Sequence, residues 1–423
     1  MNRNKKNMKD VIIDKIMTKI LIWTPRTQYA SLAPLIIINE IFSLRIFESK
    51  GNLRYGYSII YAGIGIILCI IYLYTALRRN YEDWPAYAEI TFKFFLFIIV
   101  TVVMIFIILG MMNTKHSRII IARCEEIDNT LESFGIKKNY RKTFLFVTQS
   151  LIIWSTMMSS LCLLNIYWFT YENAYILIYM PITIIYLEIF TFVIFVSILI
   201  DKLHKMNVII KKVYELSNIN DIKIRYKIQS HIAYKFILVM DYHNTKHFTR
   251  HFLQLMRYMH FEILKLSHEL NRAYTYQILL DLAVHFTLIT CGLYNIYFSF
   301  TLKLTDLLTN KENLLFLLWI FISSAKTIFL NNHCNNYYHE VEITAHLLRE
   351  LEICYLDNSI KDEVQQFSLQ LLLHPLQFTA GGYILNNKLS MLFFSTIATY
   401  LIVLIQISST PNLIQSLSHI SSH

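Results

Sequence analysis

Four long, predominantly apolar runs, Ile59–Tyr74, Phe94–Met112, Ile176–Ile200 and Leu389–Ile407, limit what this chain can fold into. Each approaches the ~20 residues a helix needs to cross a bilayer. In hydrocarbon the backbone must bond to itself, so runs of this length are helices. A turn-rich alternating β-barrel is excluded by the composition, which holds only 9 Gly and 6 Pro beside 28 Phe and 28 Tyr. Charged residues make up 16% of the chain, against about a quarter in an ordinary soluble domain.

The apolar pattern predicts seven spans, at 56–77, 89–112, 144–168, 174–200, 277–302, 313–331 and 383–407. A shorter apolar stretch, Leu32–Phe47, carries Glu40 and Arg45 and reads as an amphipathic helix at the membrane interface. The net charge of +10 does not point to nucleic acid, because the basic residues lie between spans. Segments 1–55, 113–143, 201–276 and 332–382 hold 32 of the 39 Lys and Arg. Lys115, Arg118, Arg123, Lys137, Lys138, Arg141 and Lys142 crowd the short segment 113–143, while the tail after Ile407 has no basic residue. The positive-inside bias therefore places the N-terminus in the cytoplasm and the C-terminus outside. The expectation is an all-α, polytopic membrane protein with an intracellular N-terminus.

Lysines and aspartates interrupt the N-terminal VIIDKIMTKI too often for a cleaved signal peptide. The inner segments carry helical stripes of their own. Ile360, Val364, Phe367 and Leu371 form one, and Val341, Ala345, Leu348 and Tyr355 another. These predict helices that continue below the membrane into a packed layer. Cys69, Cys162 and Cys291 fall within spans and Cys124, Cys334 and Cys354 in polar segments, with neither metal spacing nor a disulfide framework. His243, His247 and His251 step by four, a spacing compatible with zinc, but no carboxylate or cysteine completes a set. No cofactor, metal or catalytic motif is expected, and the chain is not expected to be an enzyme.

The C-terminal stretch reads HPLQFTAGGYILNNKLSMLFFSTIATYLIVLIQI. Phe378, Thr379, Ala380 and Gly382, then Leu389, then Thr399 and Tyr400 followed after five residues by Gln406, resemble the signature of the insect gustatory receptor family. HELNRAYTYQILLDL before the fifth span and APLIIINEIFSL near the N-terminus add to the resemblance. It implies a plasma-membrane, ligand-gated nonselective cation channel. The expected assembly is a homotetramer or heterotetramer of related subunits, with membrane lipid and a small tastant as partners. The implied organisation is a cytoplasmic N-terminus (1–55), a six-helix ligand-binding bundle (56–331) that includes the cytoplasmic helical segment 201–276, and anchor helices (332–382). A pore-lining last helix (383–407) and an outer tail (408–423) complete it.

Thr396, Thr399, Val403, Gln406 and Thr410 fall on one face of that last helix. Such a stripe either meets water in a pore or glues helices together. In a pore, Gln406 offers amide oxygens to a cation while Val403 and Ile407 constrict the path. Two departures from the family pattern stand out. Ile407 occupies a position where the family usually has Phe, and Leu401 one where the sugar-receptor branch has Glu. The second favours a bitter-like plant compound over a sugar. Candidate ligand contacts in the outer halves of the spans are Trp168, Tyr186, Glu188, Asn295, Tyr297 and Trp319. Glu188 either pairs with a ligand amine, or is protonated or bonded to a neighbouring Tyr, and the two Trp either line the site or anchor at the interface. Lys93 and Lys326 are expected to snorkel. Two competing readings are a G-protein-coupled chemoreceptor, which the charge bias opposes, and a secondary transporter, which internal repeats would support.

Overall fold

The computed structural model describes residues 24–49, 52–78, 86–168, 174–218, 245–303, 311–354 and 358–420. Two short helices come first, α1 (Gln28–Ser31) and α2 (Ala33–Ile41), followed by a two-stranded antiparallel hairpin, β1 (Glu48–Ser49) and β2 (Asn52–Leu53). Then come the long helices α3 (Tyr55–Arg78), α4 (Ala86–Ser133), α5 (Tyr140–Trp168), α6 (Ala174–Asn218), α7 (Thr245–Lys303) and α8 (Lys311–Cys354). The chain continues through α9 (Asn358–Leu373), a second hairpin of β3 (Thr379–Ala380) and β4 (Tyr383–Ile384), and the last helix, α10 (Asn387–Ile420).

Seven of these helices, α3 to α8 and α10, carry the seven expected spans, and the protein is an all-α polytopic membrane protein. Within the described residues six helices are long and apolar enough to cross a membrane. Several are much longer than a crossing requires. At 1.5 Å per residue, the 59 residues of α7 reach about 90 Å, three times the hydrocarbon thickness of ~30 Å. Residues 201–218 continue α6 and residues 245–276 belong to α7, so the described part of the segment expected below the membrane extends helices that also cross it.

The core forms around α6, which packs against α4, α5, α7 and α8. Leu187, Phe192, Val196, Leu199, Leu203 and Met206 of this helix are fully enclosed. Beyond the expected span, Lys202 of α6 pairs with Asp128 of α4, both almost wholly shielded from solvent. Two charges taken out of water persist only because each neutralises the other. The stripe expected on α9 is also confirmed in placement, with Ile360, Val364 and Phe367 buried. Glu363 on the same helix is held by Gln254 (2.7 Å), Arg250 (3.5 Å) and Arg257 (3.6 Å) of α7.

The stretch Leu32–Phe47 is not one helix. The nine-residue α2 spans about 14 Å, under half a bilayer core. Leu32, Leu35 and Ile36 face the bundle, and Asn39 donates to Thr191 of α6 at 3.0 Å. After Ile41 the chain turns at Ser43 (φ 61°) and runs across α4. There the Leu44 carbonyl passes Gly110 so closely that a Cβ at Gly110 would meet it at 2.5 Å. A glycine is needed where backbone approaches a helix this closely.

Candidate functional site

The last helix starts later than hydropathy alone suggests, at Asn387 rather than residue 383. The reason is the β3–β4 hairpin. Gly381 (φ +57°) and Gly382 (φ +90°) are its two loop residues, and positive φ at both central positions is what a two-residue turn of type I′ requires. Asn386 then caps the helix, its Oδ1 accepting from the Leu389 N–H at 2.9 Å. Four residues of the sequence signature, Phe378, Thr379, Ala380 and Gly382, thus build this hairpin. Phe378 and Ala380 are buried, Thr379 is half-buried and Gly382 lies on the surface.

Along α10 the residues divide into two faces. Ser390 and Ile397 are buried, and Ser390 accepts from Asn331 of α8 at 2.8 Å. Phe393 and Tyr400 set ring edges against Phe286 of α7, at 6.0 and 5.4 Å. Thr399, Val403, Gln406 and Ile407 are exposed in the single subunit. At 100° per residue the centre of the stripe from Thr396 to Gln406 lies about 140° round the helix from Ile397. The hydroxyls of Thr396 and Thr399 donate to their own helix, to the carbonyls of Leu392 (2.7 Å) and Ser395 (3.0 Å). Neither hydroxyl ties α10 to another helix of the subunit.

The candidate ligand residues separate into two groups. Tyr186 and Glu188, two apart on α6, point to different sides of the helix. The Tyr186 hydroxyl lies 3.3 Å from Ser323 Oγ of α8, and its ring lies 5.4 Å from that of His285 on α7. Lys326 Nζ sits 4.1 Å from the centre of the same ring and also bonds Asp281. Asp281 in turn receives His285 Nδ1, 2.8 Å from its backbone carbonyl and 3.3 Å from its carboxylate. Lys326 therefore does not snorkel, and the expectation that it would is corrected here. Its ammonium is retained inside the bundle by the Asp281 carboxylate and the electron-rich face of Tyr186.

Glu188 is buried and accepts from Gln277 Nε2 at 2.5 Å. Gln277 Oε1 accepts from Asn113 Nδ2 at 3.3 Å, and Asn113 also donates to the Ala273 carbonyl at 2.6 Å. Within the subunit the partner of Glu188 is thus a carboxamide, rather than the neighbouring tyrosine that was one of its alternatives. This chain of polar groups links α6, α7 and α4. Trp319 is buried in the bundle, and Asn295 and Tyr297 are half-buried. The side chain of Trp168 lies outside the described residues, as do those of His243 and His247.

Asp281, His285 and Lys326 were not singled out as site residues from sequence, although ionisable residues inside a span are functional candidates by default. Asp281 and His285 stand at i and i+4, a spacing that places them on one helix face. Asn271 and Thr275, which bond Thr379 of the hairpin, lie in the block HELNRAYTYQILLDL but were not singled out within it, and Tyr338, which bonds Phe378, carried no comparable signal. Among the described residues no cluster of three or more His, Cys, Asp and Glu could hold a metal ion.

Comparison with known proteins agrees with this architecture. Residues 37–410 match the model of the 7tm Chemosensory receptor family. A stretch of 131 residues is 28% identical to "Putative gustatory receptor 94a" of Drosophila melanogaster, covering 30% of this chain and 32% of that relative. The fold is similar to that of the insect olfactory receptor OR5 from Machilis hrabei. The TM-score is 0.54 at 13% sequence identity, over 94% of this chain and 99% of that one.

Proposed function

The chain belongs to the 7tm chemosensory receptor family, and on that premise we propose that it is a gustatory-receptor subunit of a ligand-gated nonselective cation channel. It works in the plasma membrane as a homotetramer or heterotetramer, with its N-terminus in the cytoplasm, and opens on a small tastant. Leu401, in place of the sugar-branch Glu, favours a bitter-like plant compound.

The observation that carries the reading is the outward stripe on α10. Thr399, Val403, Gln406 and Ile407 turn away from the packed side of their own subunit. Polar groups on an apolar helix seek protein or water, and four such faces meeting at one axis would enclose a path with four Gln406 amides. Val403 and Ile407 would narrow that path and gate it by dewetting. The ligand then acts at the outer halves of the bundle, through Trp319, Asn295 and Tyr297 with Trp168, and Tyr186, packed against Ser323, His285 and Lys326, forms the deep end of the set. Glu188 faces another side of α6, so its part in ligand response runs through Gln277.

The test is whole-cell recording from cells expressing the full chain, alone and with related subunits, against sugars, alkaloids and other plant compounds. An alkaloid-type compound is expected to evoke an inward cation current. Gln406→Ala should change ion selectivity or conductance at unchanged surface expression, and identical permeation in that variant removes the pore reading. A terminal tag that is reached from outside intact cells at the N-terminus removes the orientation.

A further inference from the structure

We propose that the segment Phe378–Leu385 is a clip through which α6, α7 and α8 set the position of the last helix, with Asn271, Thr275 and Tyr338 as its positioning residues. The consequence for gating rests on the reading of α10 as pore-lining; the mechanical part does not.

Every polar group of Thr379 is taken by α7. Asn271 uses both ends of its amide on this one residue, Oδ1 accepting from the Thr379 N–H at 2.8 Å and Nδ2 donating to Thr379 Oγ1 at 3.1 Å. One turn further along α7, Thr275 Oγ1 donates to the Thr379 carbonyl at 2.8 Å. From the other side, the hydroxyl of Tyr338 on α8 accepts from the Phe378 N–H at 2.8 Å and lies 3.4 Å from the Phe378 carbonyl. That carbonyl also accepts from the Leu385 N–H at 2.8 Å, closing the hairpin. The Phe378 ring meets the edges of Phe192 on α6 (5.6 Å) and Tyr337 on α8 (5.2 Å). Three helices converge on two residues.

The clip has no slack. Leu385 is fully buried, and α10 begins two residues later. Gly381 lies against α7 so tightly that a Cβ would stand 2.9 Å from both Leu279 methyls. Beyond the clip, α10 is tied to its own subunit by contacts that include the Asn331–Ser390 bond and the rings around Phe286, while Met391, Leu392, Ile402 and Ile407 are exposed. A shift of α7 against α8 therefore shears the clip, and the start of α10 moves with it. Packed elements with fixed bonds transmit displacement in this way, whereas a loop of mobile residues absorbs it.

Deuterium exchange of the full-length protein in lipid nanodiscs tests this without any ligand. Tyr338→Phe removes only a hydroxyl, and Asn271→Leu removes both amide bonds at similar size. In both variants amides of 387–395 should exchange about tenfold faster, the scale expected from losing one or two hydrogen bonds, while the span Tyr55–Arg78 keeps its wild-type rate. Asn271→Asp retains the acceptor for the Thr379 N–H and should restore part of the protection. Unchanged exchange at 387–395 overturns the clip, as does equally faster exchange in Tyr55–Arg78, which would mean general loosening. If Asn271→Leu does not fold, Tyr338→Phe decides. Potassium flux from vesicles carrying Gln406→Ala tests the pore separately: unchanged flux and selectivity there removes the pore reading and leaves the clip standing or falling on exchange alone.

Discussion

Helices α6 and α10 are both apolar enough to cross a membrane, yet they occupy opposite situations. In the most apolar stretch of α6, 83% of the residues are buried within the subunit; in that of α10, 17% are. The apolar side chains of α6 meet protein on all sides, and its one deeply enclosed lysine, Lys202, finds Asp128. Those of α10 touch their own subunit along a narrow strip, and its polar stripe faces away from it. A hydrophobic run reports compatibility with hydrocarbon, but the same chemistry serves a central post and a peripheral wall. Stability is expected to reside in the first and permeation in the second.

The largest effect should come from the charge inside the post. Lys202→Met leaves the Asp128 carboxylate enclosed without its partner and should cost about 3–5 kcal/mol. Surface expression should collapse and recover when Asp128→Leu is added; wild-type expression of the single variant would mean that this end of α6 is not as closed as described. A matched pair of substitutions is more discriminating. Val196→Ala on α6 opens a cavity at a fully enclosed site and should lower stability by about 2 kcal/mol. Val403→Ala on α10, where the side chain is 44% exposed, should leave the thermal midpoint of the purified protein unchanged and alter cation leak. Equal stability losses at the two positions would erase the contrast between the helices.

The smallest effect concerns acid. Outside the expected spans, burial lowers the imidazole of His260 on α7 from 6.5 to about 4, with its ring 5.5 Å from Phe367. The folded protein keeps this ring neutral while the unfolded chain takes up a proton below pH 6.5. The favourable contribution is therefore complete above that pH and declines as pH falls towards 4. Thermal midpoints should drop across this window, and His260→Met should flatten the drop. The described side chains of α10 include no histidine or carboxylate, so acid should loosen the packed helices before the last one. A profile unaffected by His260→Met assigns the acid response to other groups.

Much of the helical layout was legible because it follows from local chemistry. Long apolar runs must be helices in lipid, and the stripe at Ile360, Val364 and Phe367 buries the face its spacing predicts. The signature residues were legible as a pattern, but not as a hairpin whose glycines delay the last helix to Asn387. Lys326 was misread because its partners, Asp281 and Tyr186, lie 45 and 140 positions away in the chain, and an isolated lysine near a span end gives no sign of them. Glu188 was noticed as an anomaly, yet Gln277, 89 residues on, is what satisfies it. Asn271 lies in the block HELNRAYTYQILLDL that adds to the resemblance, but nothing in that block places its amide against Thr379, and Tyr338 carried no signal.

By itself the sequence determined that the chain spans a membrane as helices, and it singled out the stripe on the last of them, because hydropathy and periodicity act over a few turns. Only the tertiary structure decided which apolar helix is central, which charges are mutually neutralised and how the hairpin grips α7 and α8. Those outcomes depend on pairs of side chains brought together from distant parts of the chain, and no local pattern encodes such meetings.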